Sequence, residues 1–157
     1  VRFFSLILMD NYISHIIKTK RMNTKMLVAG LMGGVAFFLL GWLLYGMLLM
    51  DTLAQYSNPA CMRADADMNI PLLVVGSLVL GLLVAYIFSQ WASISTFATG
   101  LQRGALIGFL FTLGMNCNWY ATMTVTTEIT GAIIDVVVAT VMWGLVGGIV
   151  GWWLGRK

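Results

Sequence analysis

Among the residues that could bind a ligand or transfer a proton, the Asp135 carboxylate is unusual because it lies inside a long apolar stretch. Asp135 is the only charged residue between positions 129 and 154. On insertion scales, a carboxylate at the centre of a membrane-spanning helix costs about 2.5–3.5 kcal/mol. If the helix begins at Ile129, the helical rise puts Asp135 roughly 9 Å below the membrane boundary. A residue of this kind usually faces other helices, so its neighbours decide its role.

Two asparagines are predicted at the right depth to pair with Asp135. Counting back from the end of the preceding apolar segment puts Asn116 and Asn118 roughly 7 to 11 Å below the same boundary. A hydrogen bond from either amide would offset the cost of burial and clamp two helices together, which is the interpretation we favour. The alternative is an outward-facing site for a proton, cation or small ligand. Trp119 and Tyr45 lie at the same predicted level, where they either wall that site or face lipid.

No other group of residues predicts catalysis, a metal or a cofactor. The single histidine, His15, lies outside the apolar segments, and Cys61 and Cys117 lack any metal-ligand spacing. No pair of segments supplies the carboxylates and histidines of a di-metal bundle. The net charge of +3 comes without a cluster of basic and aromatic residues, which argues against nucleic-acid binding. We therefore expect a protein that is not an enzyme, and the cysteine redox state stays open.

The elements that must position Asp135 are predicted to be helices in lipid. The chain has 157 residues, of which 60% are hydrophobic and 10% charged, whereas soluble domains carry about 25% charged residues. Crossing about 30 Å of hydrocarbon takes about 20 apolar residues. Four segments meet that length, at residues 26–50, 70–88, 104–123 and 129–154. The sequence predicts an all-α, polytopic membrane protein, with a four-helix transmembrane bundle over residues 26–157.

Basic residues predict the orientation of this bundle. Cytoplasmic loops retain Lys and Arg, and here every such residue except Arg63 falls on the side of the two termini. The opposite side carries four acidic residues: Asp51, Asp65, Asp67 and Glu128. The sequence therefore predicts a bacterial inner-membrane protein with both termini in the cytoplasm.

Two flanking features also carry predictions. Residues 1–25 are predicted to form a cytoplasmic or interfacial amphipathic segment. Alternatively, translation starts at Met22 and residues 1–21 are an upstream extension. Asn69 is predicted to cap the second span, with Pro71 in the first helical turn, where a missing N–H is tolerated.

Glycines four residues apart are the main packing signal, because small residues let helix backbones approach closely in lipid. The rows are Gly30 with Gly34, Ser77 with Gly81 and Ala85, Gly104 with Gly108, Gly144 with Gly148, and Gly147 with Gly151 and Gly155. We interpret the rows of the first three spans as packing within the chain. The fourth span carries two rows on neighbouring faces, which suggests that one of them contacts a second copy in a homodimer.

The chain resembles a family of small bacterial four-helix membrane proteins whose biochemical function is unknown. The likeness covers roughly residues 22–157 and rests on four stretches: Gly41-Trp42-Leu43-Leu44-Tyr45-Gly46, residues 104–109, Ile134-Asp135, and residues 144–153. This resemblance implies the architecture and no activity. We therefore expect a structural or accessory membrane protein, with a small carrier or solute-binding protein as the alternative.

Overall fold

The computed structural model describes residues 24–156, and for Asp65 the backbone only. The amphipathic segment predicted over residues 1–25 lies almost wholly outside the described residues. Within them the chain is helical and contains no β-strand, only an isolated antiparallel bridge between Ser57 and Thr126. The all-α prediction is therefore confirmed.

Four long helices make up the described chain. Helix α1 runs over Thr24–Leu43 and continues as a π-helical turn over Leu44–Leu48; helix α2 runs over Ile70–Ile87 and continues as a π-helical turn over Phe88–Ala92. Helices α3 and α4 run over Phe97–Thr122 and Ile129–Gly155. Short helical segments lie in the loop between α1 and α2, at Met50–Ala54, Pro59–Cys61 and Asp65–Asp67.

Three helices of the described chain are long and apolar enough to cross a membrane. They span Thr24–Leu48, Ile70–Ala92 and Ile129–Gly155, close to the first, second and fourth predicted segments. Helix α3 is 26 residues long but carries Gln102, Arg103, Asn116 and Asn118, which reduce its apolar character. Three spans are thus found where the sequence predicted four.

Helix starts follow the expected capping chemistry. The Asn69 side chain accepts a hydrogen bond from the Leu72 amide at 3.1 Å, with Pro71 in the first turn, so the predicted cap of α2 is confirmed. Helix α3 begins before the predicted residue 104, because the Thr96 hydroxyl accepts from the Thr99 amide at 3.2 Å and caps it there. The charge of Arg103 bounds the apolar stretch of α3 but does not end the helix.

The helices pack in the order α2, α1, α4, α3, with α3 on α4 as the most extensive pair, then α1 on α2, then α1 on α4. Trp143 of α4 is 4% exposed and lies at the centre of this arrangement. Its ring meets Phe37 of α1 edge-on at 4.9 Å between centroids and Phe111 of α3 at 5.6 Å. One aromatic side chain therefore joins three helices.

Many of the inward-facing residues in this bundle are small, and many large apolar residues face outward. The buried face of α1 includes Ala29 and the glycines at positions 30, 33 and 34, whereas Leu31, Val35 and Leu39 are exposed. A Cβ placed on Gly34 would lie 2.6 Å from the Leu78 Cα atom of α2, too close for any side chain. This distribution suits a lipid solvent, in which close backbone packing replaces the burial of large side chains.

Both glycine rows of α4 are covered by α3 and its preceding loop. Gly147 lies against Gly104, where an added Cβ would come within 2.9 Å of the neighbouring Cα atom. Gly148 lies against the Phe97 ring, and Gly144 lies against Ala105. The remaining members of the α4 rows pack in the same way, Gly151 on Gly100 and Gly155 on Ser95, and Gly108 of α3 lies against the Trp143 side chain. The homodimer prediction through the fourth span stays a prediction and loses this support.

The two ends of the bundle carry different charges. The Lys25 ammonium donates to the Arg156 carbonyl, which brings the start of α1 and the end of α4 together. The Arg156 guanidinium also stacks 4.5 Å from the centre of the Trp152 ring. The opposite end carries Asp51, Asp67 and Glu128 together with the loops that follow α1 and α3. We call the two the basic end and the acidic end.

Candidate functional site

Three helices contribute a side chain to a polar cluster near the acidic end, which we define as Tyr45, Asn116 and Asp135. Asp135 lies on the second turn of α4, half-buried, and its two carboxylate oxygens have different partners. The Tyr45 hydroxyl donates to Oδ1 at 2.7 Å, and the Asn116 amide donates to Oδ2 at 2.7 Å. Both distances are in the range of charge-assisted hydrogen bonds.

Asn116 is buried and has a second hydrogen bond within its own helix, α3. It is 7% exposed, and its Nδ2 group also donates to the Thr112 carbonyl at 3.0 Å, one turn earlier on the same helix. Both N–H groups of the amide are therefore in use, one within α3 and one toward α4. This second bond fixes the side chain so that it faces Asp135.

Tyr45 reaches Asp135 from the π-helical turn that ends α1. The Leu49 amide donates to the Leu44 carbonyl at 2.9 Å, the i to i+5 bond of a π-helix. The extra residue in this turn changes the direction in which Tyr45 projects, relative to a continued α-helix. Single π-helical turns are frequent at functional sites, where they reposition one side chain.

The other two predicted site residues lie elsewhere. Asn118 is exposed, and its amide donates to the Gly114 carbonyl of its own helix at 2.9 Å. Trp119 is 42% exposed on the outer surface of α3. The structure thus brings together three of the five predicted residues, because positions 118 and 119 fall on faces of α3 that turn away from α4.

The loops at the acidic end close over the helix turn next to the cluster. The Thr127 amide donates to the Tyr56 carbonyl at 2.7 Å, and the Asn58 amide donates to the Val125 carbonyl at 2.9 Å. Tyr56 then lies on Gly131, where an added Cβ would be 2.5 Å from the Tyr56 Cβ atom. We call this pairing of residues 56–58 with residues 125–127 the loop clasp; it contacts α4 at Gly131, one helical turn before Asp135.

The chemistry open to the cluster follows from its donors. Both groups that donate to Asp135, the Tyr45 hydroxyl and the Asn116 amide, are uncharged side chains, so neither forms an ion pair with the carboxylate. In the described part of the chain no group of three His, Cys, Asp or Glu side chains could hold a metal. Across residues 24–156 every buried side-chain nitrogen or oxygen has a partner.

Sequence reasoning missed two parts of this site. The π-helical turn leaves no signal in residue types that separates it from an ordinary helix end. The loop clasp depends on Gly131 and on backbone pairing across residues 56–58 and 125–127. Gly131 at the start of an apolar helix was an available signal, because it marks a close approach by another group.

Comparison with known proteins adds no relative: no family model, no curated protein and no solved structure matches this chain. The resemblance to small four-helix membrane proteins therefore stays a prediction, and the function has to be argued from the geometry of the chain itself.

Proposed function

We propose that the chain is an integral membrane protein of structural or accessory type, in which all four long helices cross the bilayer. Helix α3 has 26 residues, about 39 Å at the helical rise, against about 30 Å of hydrocarbon. The pair formed by α3 and α4 has the most extensive contact of all helix pairs in the described chain. Two polar side chains of α3, Thr112 and Asn116, are buried, and Asn116 is bonded to Asp135 of α4. These features support insertion of α3 alongside its three more apolar neighbours.

The proposed location is the bacterial inner membrane, with the basic end of the bundle in the cytoplasm. Lys25, Arg103 and Arg156 would then lie on the side that retains cations. Because the start of α1 and the end of α4 are in contact, both termini would share that side. Lipid is the partner that this arrangement implies.

The observation that carries the proposed role is the shared carboxylate of Asp135. Two helices other than its own donate to it, at 2.7 Å each. Interhelical hydrogen bonds in bilayers contribute about 0.6 kcal/mol on average and about 1.7 kcal/mol at most. The polar cluster therefore acts as a clamp that fixes the outer ends of α1, α3 and α4 in register.

A second candidate is a small carrier or binding protein for a proton, cation or small solute. It is favoured by the chemistry of the Asp135 side chain, because a carboxylate is a group that binds protons and cations, and its two donors here are uncharged. For a solute to enter from outside, the loop clasp between residues 56–58 and 125–127 would have to open. A clamp needs no such opening, so the two roles differ in whether the clasp moves.

A ligand screen on two variants tests the proposal. The purified protein in detergent is heated with ions, metabolites and lipids, and the parent is compared with Asp135→Asn. A clamp predicts no stabilising ion or metabolite in either protein and a modest loss of stability in the variant. An ion or metabolite that raises the melting temperature only when Asp135 is intact would instead support the carrier. Asn118→Leu is the control, since Asn118 is outside the polar cluster.

A further inference from the structure

A groove at the acidic end of α2 has no part in the proposed clamp. Its volume is about 530 Å³, within the range of about 300–1,000 Å³ that ligand sites occupy. The floor is the outer half of α2, where Ile70, Leu73, Gly76 and Leu80 face the space, and Arg63 lines it from the preceding loop. We call this feature the α2 groove.

The length and lining of the α2 groove match an acyl chain. From Ile70 to Leu80 the helical rise gives about 15 Å, which is half of the roughly 30 Å hydrocarbon layer and therefore one leaflet. Ile70 and Leu73 are each about half exposed. Gly76 keeps the floor open, because an added Cβ there would meet nothing within 4 Å.

The charge of the α2 groove is concentrated at one side chain. Arg63 is the only charged residue among the described residues that line it. The polar groups beneath are already bonded within the chain: the Ser77 hydroxyl donates to the Leu73 carbonyl at 2.9 Å, and the Asn69 oxygen accepts from the Leu72 amide. A guanidinium above an apolar channel is complementary to a phosphate with a hydrocarbon chain attached.

We propose that the α2 groove is a binding site for one phospholipid of the outer leaflet. The phosphate pairs with Arg63, which lies before the first turn of α2 and so at the level of the headgroups. One acyl chain runs past Gly76 to Leu80. The proposal rests on the membrane insertion argued above, and it assigns a ligand to a surface that the clamp does not use.

Titration of the full chain in detergent with phosphatidylglycerol tests this site. Native mass spectrometry counts the lipid bound to the parent and to Arg63→Gln and Gly76→Leu. We expect one tightly bound phosphatidylglycerol on the parent and about tenfold weaker binding after loss of the charge-assisted contact. Gly76→Leu fills the channel and should reduce binding similarly. Neither residue packs in the core, so both variants should fold.

Matched controls separate the site from general lipid association. Arg103→Gln removes an exposed arginine from α3, and Gly41→Leu adds a side chain at another glycine with open space; both should bind like the parent. An uncharged glycolipid with the same chains and inorganic phosphate alone should each bind weakly. Equal binding of phosphatidylglycerol to Arg63→Gln and the parent would refute the site, as would equal binding of the glycolipid. Extraction of the parent from membranes by alkaline carbonate would instead refute the proposed insertion.

Discussion

Two asparagines on α3 offer a direct test of the clamp. Asn116 and Asn118 each donate to a carbonyl one turn earlier on the helix, at 3.0 and 2.9 Å, and only Asn116 also donates to Asp135. Leucine has a similar size, so Asn116→Leu removes the polar contact without leaving a large void. The Asp135 oxygen then loses its donor, and an unsatisfied acceptor costs about 1–3 kcal/mol when buried. Because Asp135 is half-buried, we expect a loss of about 1–2 kcal/mol.

The control, Asn118→Leu, should change stability by less than about 0.5 kcal/mol, as exposed substitutions do. Reversible unfolding by sodium dodecyl sulfate in mixed micelles measures the free energies, and each kcal/mol corresponds to about 2–4 °C in melting temperature for a chain of this size. A cycle with Asp135→Leu should give a coupling energy of about 1 kcal/mol with Asn116. Equal effects of the two asparagine substitutions, or zero coupling, would refute the clamp.

Three more outcomes follow from the packing and the proposed orientation. Gly131→Ala should displace Tyr56 from α4 and lower the free energy of unfolding by about 1–3 kcal/mol, as overpacking does. The same unfolding assay measures this change, and an unchanged free energy of unfolding would contradict the close contact. Gly147→Leu should push α3 away from α4, so that little folded protein is recovered from membranes. Gly41→Leu should leave the yield of folded protein unchanged. Fluorescence-detected size-exclusion chromatography measures both yields. With the other cysteine replaced, Cys61 should react with a membrane-impermeant maleimide in spheroplasts and stay unlabelled in inverted vesicles; the reverse result would invert the orientation.

The boundaries of three helices were predictable because lipid imposes a length on apolar segments. Helix α4 begins at Ile129, as the sequence predicted, and α2 begins at Ile70 behind its Asn69 cap. Helix α3 was less predictable, since polar side chains interrupt its apolar stretch and its start depends on capping by Thr96. Hydropathy identifies the part of a helix that tolerates lipid, which is not the same as the part that is helical.

For the residues of the candidate site, the sequence predicts the depth along each helix but not the direction in which each side chain points. Depth along a helix follows from counting residues, so Asn116, Tyr45 and Asp135 were expected at one level. The direction of a side chain depends on which helices are neighbours, and that excluded Asn118 from the polar cluster. The packing order α2, α1, α4, α3 is set by glycine contacts across helices, which a single sequence does not specify.

The order of helix packing also divides the chain into two hairpins, α1 with α2 and α3 with α4, each made of helices adjacent in sequence. The bond from Asn116 to Asp135 lies within the second hairpin, whereas the bond from Tyr45 crosses 90 residues to the first. Local contacts form sooner than distant ones. We therefore expect the carboxylate of Asp135 to gain its donors at two stages of assembly, with the bond to Tyr45 forming once the two halves of the chain have joined.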